Sequence, residues 1–312
     1  MYFKTICFIV ISLFIGTVAF SQKLNWIPFE WVGDSVSGKY FDKLALTIPV
    51  SIDGLPHKFK MQFDLGAETT VIYGKSIDKY LDKYPKLKNK LDSTTTFIIN
   101  GQENPMFNNV GLSLGNVSFG KRDIGYFKDY GEPIPTDSIS TSTQKLIGTI
   151  APDLFKDKYL IIDYPNQRIS VAKKLPRKLV KVDFQVCQIE DGRITIPLTI
   201  NGIVENLMFD TGSSIFPLIT SEENANQISA DNIIDSLSVN SWGNNVTVYG
   251  KKIIPEVKFG KTILQPSIVY YIKDEMFTEF FKQQNIWGIT GNAYFLNNIV
   301  IIDYKNSRFG IK

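Results

Sequence analysis

The sequence predicts a mostly β chain built as two similar lobes, and three observations carry that expectation. Short runs of Thr, Ile, Val and Phe alternate with polar residues and are broken by Asp-Gly, Asn-Gly and Gly-Lys turns, at spacings of about 8–12 residues. Motifs recur in order. Val117-Ser-Phe-Gly120 returns as Val257-Lys-Phe-Gly260, Leu146-Ile-Gly148 as Ile286-Trp-Gly288, and Ile161-Ile-Asp-Tyr164 as Ile301-Ile-Asp-Tyr304, each 140 residues on (120 to 260, 148 to 288, 163 to 303). A constant offset marks a duplicated unit, and 312 residues suffice for two lobes that each bury a core.

From the N-terminus, residues 1–21 read as a secretory signal: Lys4 supplies the positive start, Ile6 to Phe20 the apolar stretch, and Ala19-Phe20-Ser21 a small-x-small cleavage site. The stretch is shorter than the ~20 residues needed to span a bilayer. The expectation is an exported chain, periplasmic or extracellular, beginning near Gln22 and without stable membrane insertion. Cys7 leaves with the signal, so Cys187 has no partner for an internal disulfide and reads as a buried strand residue.

Trp26-Ile-Pro-Phe-Glu-Trp31 reads as a first strand. Leu46-Thr-Ile-Pro-Val-Ser-Ile-Asp-Gly54 then matches Ile194-Thr-Ile-Pro-Leu-Thr-Ile-Asn-Gly202. Helices are expected over Lys75–Lys90, Ser138–Lys145, Ser221–Leu237 and Asp274–Gln284. In the last, Met276, Phe277, Phe280 and Phe281 form an apolar stripe that packs on its own lobe. The basic, proline-containing segment Lys173–Lys178 divides the chain into lobes of residues 22–175 and 176–312.

The chemistry narrows by exclusion. Lys and Arg total 34 against 31 Asp and Glu, a net charge of +3 scattered among opposite charges, which offers no nucleic-acid footprint. The one histidine, His57, falls in a turn and reads as solvated, so histidine-dependent nucleophilic catalysis has little to rest on. One histidine and one mature thiol do not make a usual transition-metal ligand set; no metal or cofactor is expected.

What remains is a pair of aspartates: Phe63-Asp64-Leu65-Gly66-Ala67 and Phe209-Asp210-Thr211-Gly212-Ser213. Each follows an apolar run and precedes a glycine two residues later, whose missing Cβ lets backbone N–H groups approach the carboxylate. Alone, either segment reads equally well as a strand-ending turn. Facing each other, two such carboxylates cannot both ionise, so they share a proton and can act as base and acid.

On these residues the chain resembles the aspartic peptidases of the pepsin and retropepsin superfamily, in a duplicated single-chain bacterial form. The resemblance implies two closed β-barrel lobes with a few short helices, a cleft between them, Asp64 and Asp210 as the catalytic pair, and a peptide or protein substrate. Gly66 and Gly212 would keep the loops open to backbone contact, Thr211 would reach across to the other loop, and Ser213 would hydrogen-bond Asp210. Gly148 and Gly288 would belong to strands threaded behind the loops. A flap is implied at Phe97–Gln102, with Asn100 and Gly101 at its tip. Trp242, at the matching place in the second lobe, either lines a substrate groove or caps the core. One chain would suffice to build the site, as a monomer. Two residues depart from the pattern: Leu65 stands where a threonine belongs, and Glu68 adds a charge expected to raise the pKa of Asp64. They motivate an alternative, a pseudo-peptidase that binds extended peptides without cutting them. A ligand-binding β-sandwich, with the Asp-Gly segments only turns, is a third reading.

Overall fold

The computed structural model describes residues 24–99, 101–265 and 267–312; the signal segment and Asn100 lie outside them. The chain is mostly β, with few and short helices, and its strands form three sheets. Eight strands from residues 30–150 make one sheet, and ten from residues 188–290 make another. A third, six-stranded sheet draws on both ends of the chain: Trp26–Pro28, Tyr159–Asp163, Arg168–Ala172, Asp183–Val186, Ile299–Asp303 and Arg308–Ile311.

The pattern of side chains explains these elements. Lys58–Phe63 and Arg193–Ile200 alternate strictly between buried and less buried residues, as strands with one face on a core must. Ile162, Ile302 and Phe309 have no exposed surface and join the large core cluster that runs through both halves of the chain. At the middle of the six-stranded sheet the two Ile-Ile-Asp segments pair antiparallel, with Ile161 opposite Ile301. Each ends in a buried aspartate held by an asparagine three residues on and an arginine five residues on. Asp163 accepts from Asn166 and from Arg168 Nε at 2.9 Å, and Asp303 from Asn306 at 2.8 Å and Arg308 Nη2 at 2.6 Å.

Three helical expectations change. The helix expected over Lys75–Lys90 breaks at Tyr84 into Gly74–Lys83 and Pro85–Lys88, because Pro85 cannot continue the first helix but can start the second. Over Ser138–Lys145 only a 3₁₀ turn forms, at Thr136–Ser140; the Ser/Thr run offers no apolar stripe, and Thr141 Oγ1 instead donates to the Ser138 carbonyl at 2.9 Å. The segment Ser221–Leu237 splits. Ser221 caps a helix of residues Glu222–Ile228, accepting from Asn224 N–H at 3.2 Å, but Ser229–Ser241 is a strand paired with Asn244–Ile253. Ile233 and Ile234 favour the extended form, and the partner strand supplies the ladder. The helix at Glu275–Gln283 forms as expected, with Phe277, Phe280 and Phe281 packed on the second half's apolar cluster and Met276 exposed. Cys187 is buried between two strands. His57 is half-buried rather than solvated, its ring edge-on to Tyr80 with centroids 6.5 Å apart. No helix among the described residues is long and apolar enough to cross a membrane.

Candidate active site

Both aspartates sit one residue past the end of a strand, in matching surroundings. Lys58–Phe63 lies between an antiparallel neighbour, Lys39–Ile52, and a parallel one, Leu146–Ile150. Ile203–Phe209 lies between Arg193–Ile200, antiparallel, and Gly288–Thr290, parallel. The parallel neighbour fixes the aspartate backbone in each case: Asp64 N–H donates to the Ile150 carbonyl and Asp210 N–H to the Thr290 carbonyl, both at 3.0 Å. Gly148 and Gly288 let those strands approach Val71–Tyr73 and Leu218–Ser221 closely. A Cβ at Gly148 would lie 2.1 Å from the Val71 carbonyl oxygen, and one at Gly288 2.3 Å from that of Ile219.

The two loops interlock. A Cβ on Gly66 would lie 2.5 Å from Asp210 Cγ, and a Cβ on Gly212 would lie 2.7 Å from Asp64 Cγ. Each carboxylate therefore rests against the glycine of the opposite loop, which brings the two side chains within each other's electrostatic reach. Any larger residue at 66 or 212 would push them apart.

The hydrogen bonds to the two carboxylates differ. Asp64 accepts from the N–H groups of Gly66 at 2.9 Å and Ala67 at 3.2 Å. Asp210 accepts from Gly212 N–H and from the Ser213 hydroxyl, both at 2.7 Å. Asp64 is also the more enclosed, 7% exposed. Its burial first, and the neighbouring Asp210 charge second, push its pKa well above the usual carboxylate range.

Thr211 does reach across. Its hydroxyl donates to the Phe63 carbonyl at 2.8 Å and accepts from Leu65 N–H at 2.9 Å, all within a buried region. Leu65, fully buried in the core, has no hydroxyl with which to return the contact. Glu68 does not act as expected. It contributes nothing notable to the Asp64 shift, because its carboxylate points to Arg193 of the second half, 3.0 Å away.

Behind the second loop, Asn292 donates to the Thr211 carbonyl and to Ser214 Oγ, both at 2.9 Å, and accepts from the Tyr164 hydroxyl at 2.5 Å. The 140-residue offset hides Asn292 in the sequence, because its counterpart is Pro152. Tyr164 was visible as the last residue of a repeated motif, although its role was not. The symmetric Tyr304 hydroxyl is buried without a hydrogen-bond partner among the described residues, since a proline offers no side-chain acceptor.

An aromatic cluster within reach of the Asp64 charge was missed by sequence reading apart from Phe97 and Trp242. The expected hairpin forms between Leu91–Ile99 and Gln102–Leu114, with Gly101 at a φ of 73° in its two-residue turn. Trp242 and Gly243 form the turn between the two long strands of the second half, at φ of 49° and 95°, as a tight hairpin requires. Trp242 reaches out of its own half: its ring lies 5.9 Å from Tyr130 and 6.3 Å from Phe127, in a cluster with Tyr73, Phe97 and Ile99. Burial, and in lesser part the Asp64 charge, raise the pKa of both Tyr73 and Tyr130, which sets this cluster within the electrostatic reach of the pair. Two cavities, of about 390 and 270 Å³, lie elsewhere; neither is lined by Asp64 or Asp210.

Compared with known proteins, the chain matches no family model, and no curated protein matches it.

Proposed function

We propose that this chain is an exported aspartic endopeptidase of the pepsin and retropepsin kind, with two duplicated lobes and a peptide-binding cleft between them. The observation that carries the reading is the interlock of the two aspartate loops. Glycines at 66 and 212 each admit the opposite carboxylate, an arrangement that a pair of ordinary strand-ending turns has no reason to adopt. The matched backbone anchors at Ile150 and Thr290 support the duplication.

The chemistry follows from the asymmetry of the pair. Asp210, with the Ser213 hydroxyl on its Oδ2, takes a proton from a water as that water attacks the scissile carbonyl carbon. Asp64 gives its proton to the carbonyl oxygen, forming a neutral tetrahedral diol. Collapse breaks the C–N bond, a proton passes to the departing amine, and the other returns to the pair. The net change is one amide and one water into one acid and one amine.

The competing reading is the peptide-binding pseudo-enzyme, favoured by one observation: Leu65 gives the first loop no hydroxyl to set against Thr211. The test incubates residues 22–312, and the Asp210→Asn variant, with a diverse peptide library from acid to neutral pH and sequences the products. Cleavage by the parent alone is expected. Equal cleavage by Asp210→Asn refutes the dyad, and no cleavage by a folded parent at any pH leaves peptide binding as the better reading.

A further inference from the structure

The two aspartate loops are held by different means. In the second, three hydroxyls do the holding: Thr211 bonds Phe63 and Leu65 across the interface, Ser213 bonds Asp210, and Ser214 accepts from the buried Asn292. The matching residues of the first loop are Leu65, Ala67 and Glu68, which have no hydroxyl among them. Seen from the first loop, the Thr211 contact is therefore made by its partner.

One polar side chain of the first loop does reach the other half. Glu68 Oε1 meets Arg193 Nη2 at 3.0 Å, and the same nitrogen donates to Gln284 Oε1 at 3.1 Å. Arg193 opens the strand Arg193–Ile200, which pairs with the strand delivering Asp210. Gln284 ends the helix Glu275–Gln283. The guanidinium is thus fixed from its own half by one partner and offered to the first loop by the other. Its side chain is only 15% exposed, against 55% for Glu68, so the ordered member is the arginine. The turn just before it also touches the first half: a Cβ on Gly192 would lie 3.0 Å from Pro152 Cβ, two residues past the carbonyl that anchors Asp64. The first half has no equivalent cation. Leu46 corresponds to Ile194, so Arg193 corresponds to Ala45.

We infer that Arg193 is a positioning residue for the first aspartate, holding the Asp64 loop against the second half through Glu68, the side chain by which the first loop reaches across as Thr211 reaches from the second. The role rests on the peptidase reading, since positioning matters only if the pair does chemistry. Stability would show little of it, because a half-exposed ion pair is weakened by solvent and contributes little to folding. Its effect falls on geometry, to which a reacting pair is far more sensitive.

The test uses the mature chain with Arg193→Met, Glu68→Gln and the double variant. Two readouts are taken: kcat and KM on a library peptide that the parent cleaves, and amide hydrogen exchange over residues 64–69. The expected result is faster exchange in that loop for each single variant, with kcat lowered about tenfold for Arg193→Met and KM nearly unchanged. The double variant is no worse than Arg193→Met alone, because both changes break the same contact. Additive losses, or unchanged exchange in both single variants, overturn the tie. Faster exchange with unchanged kcat overturns the positioning role and leaves a structural contact. If the parent cleaves nothing, the exchange data still decide whether Arg193 holds the loop, and the failure belongs to the peptidase reading.

Discussion

Removing the Thr211 hydroxyl without changing the shape of its side chain isolates the contact that joins the two loops. Thr211→Val keeps the branching and volume but leaves two buried backbone groups unpaired, the Phe63 carbonyl and the Leu65 N–H, which the hydroxyl meets at 2.8 and 2.9 Å. Leu65 is fully buried and Thr211 is 1% exposed, so water cannot replace the lost partner without opening the interface. An unsatisfied buried polar group costs about 1–3 kcal/mol, so two cost about 2–6 kcal/mol. Thr211→Ser is the control: it keeps the hydroxyl and loses one methyl, at a cost of about 1 kcal/mol. Against a total stability of roughly 5–15 kcal/mol, the difference is easily read as a shift in urea midpoint at unchanged slope. If Thr211→Val falls within about 1 kcal/mol of Thr211→Ser, the hydroxyl does not bridge the loops as described.

Two further outcomes follow from the same region. Because the Asp64 pKa is raised on folding, the native state binds a proton that the unfolded chain releases; this contribution to stability is full below about pH 4 and is lost as pH rises through the native pKa. Asp64→Asn, whose amide can donate to Asp210 as the proton did, should remove that loss, so urea midpoints from pH 4 to 8 should fall with pH in the parent more than in the variant; parallel curves would contradict the assignment. The two matching tyrosines should respond oppositely: Tyr164→Phe strips a buried partner from Asn292 and should cost about 1–3 kcal/mol, whereas Tyr304→Phe removes a hydroxyl that bonds nothing and should be neutral or stabilising, both read by thermal denaturation.

Much of the β framework was legible because its signals are local. Period-2 burial on Arg193–Ile200 and the repeated glycines at 148 and 288 depend only on neighbours in sequence and on close backbone approach. The helix expected through Leu237 failed at the point where a distant strand, Asn244–Ile253, offered Ser229–Ser241 a ladder that sequence periodicity does not reveal. The aspartates themselves were visible by repetition. Several supporting residues were not: Arg193 and Asn292 stand beside repeated motifs but lack counterparts in the other half, and Tyr73 and Tyr130 belong to no repeated motif. A search for repeats finds what the two halves share and passes over what distinguishes them.

On the peptidase reading, those distinctions would give the two carboxylates different work. In a symmetric pair the proton would have no preferred side, and either carboxylate could serve as base. Here the hydroxyl donors have collected on one loop: Ser213 bonds Asp210 directly, while Ala67 offers Asp64 only a backbone N–H at 3.2 Å. Hydrogen bonds to a carboxylate favour its charged form and burial opposes it; at the more enclosed Asp64 burial dominates and holds the carboxyl well above the usual carboxylate range. Leu65 fits the same division: apolar and fully buried next to Asp64, its side chain offers that carboxylate no further donor. On this argument the departures of the first loop from the second set the direction in which the pair operates.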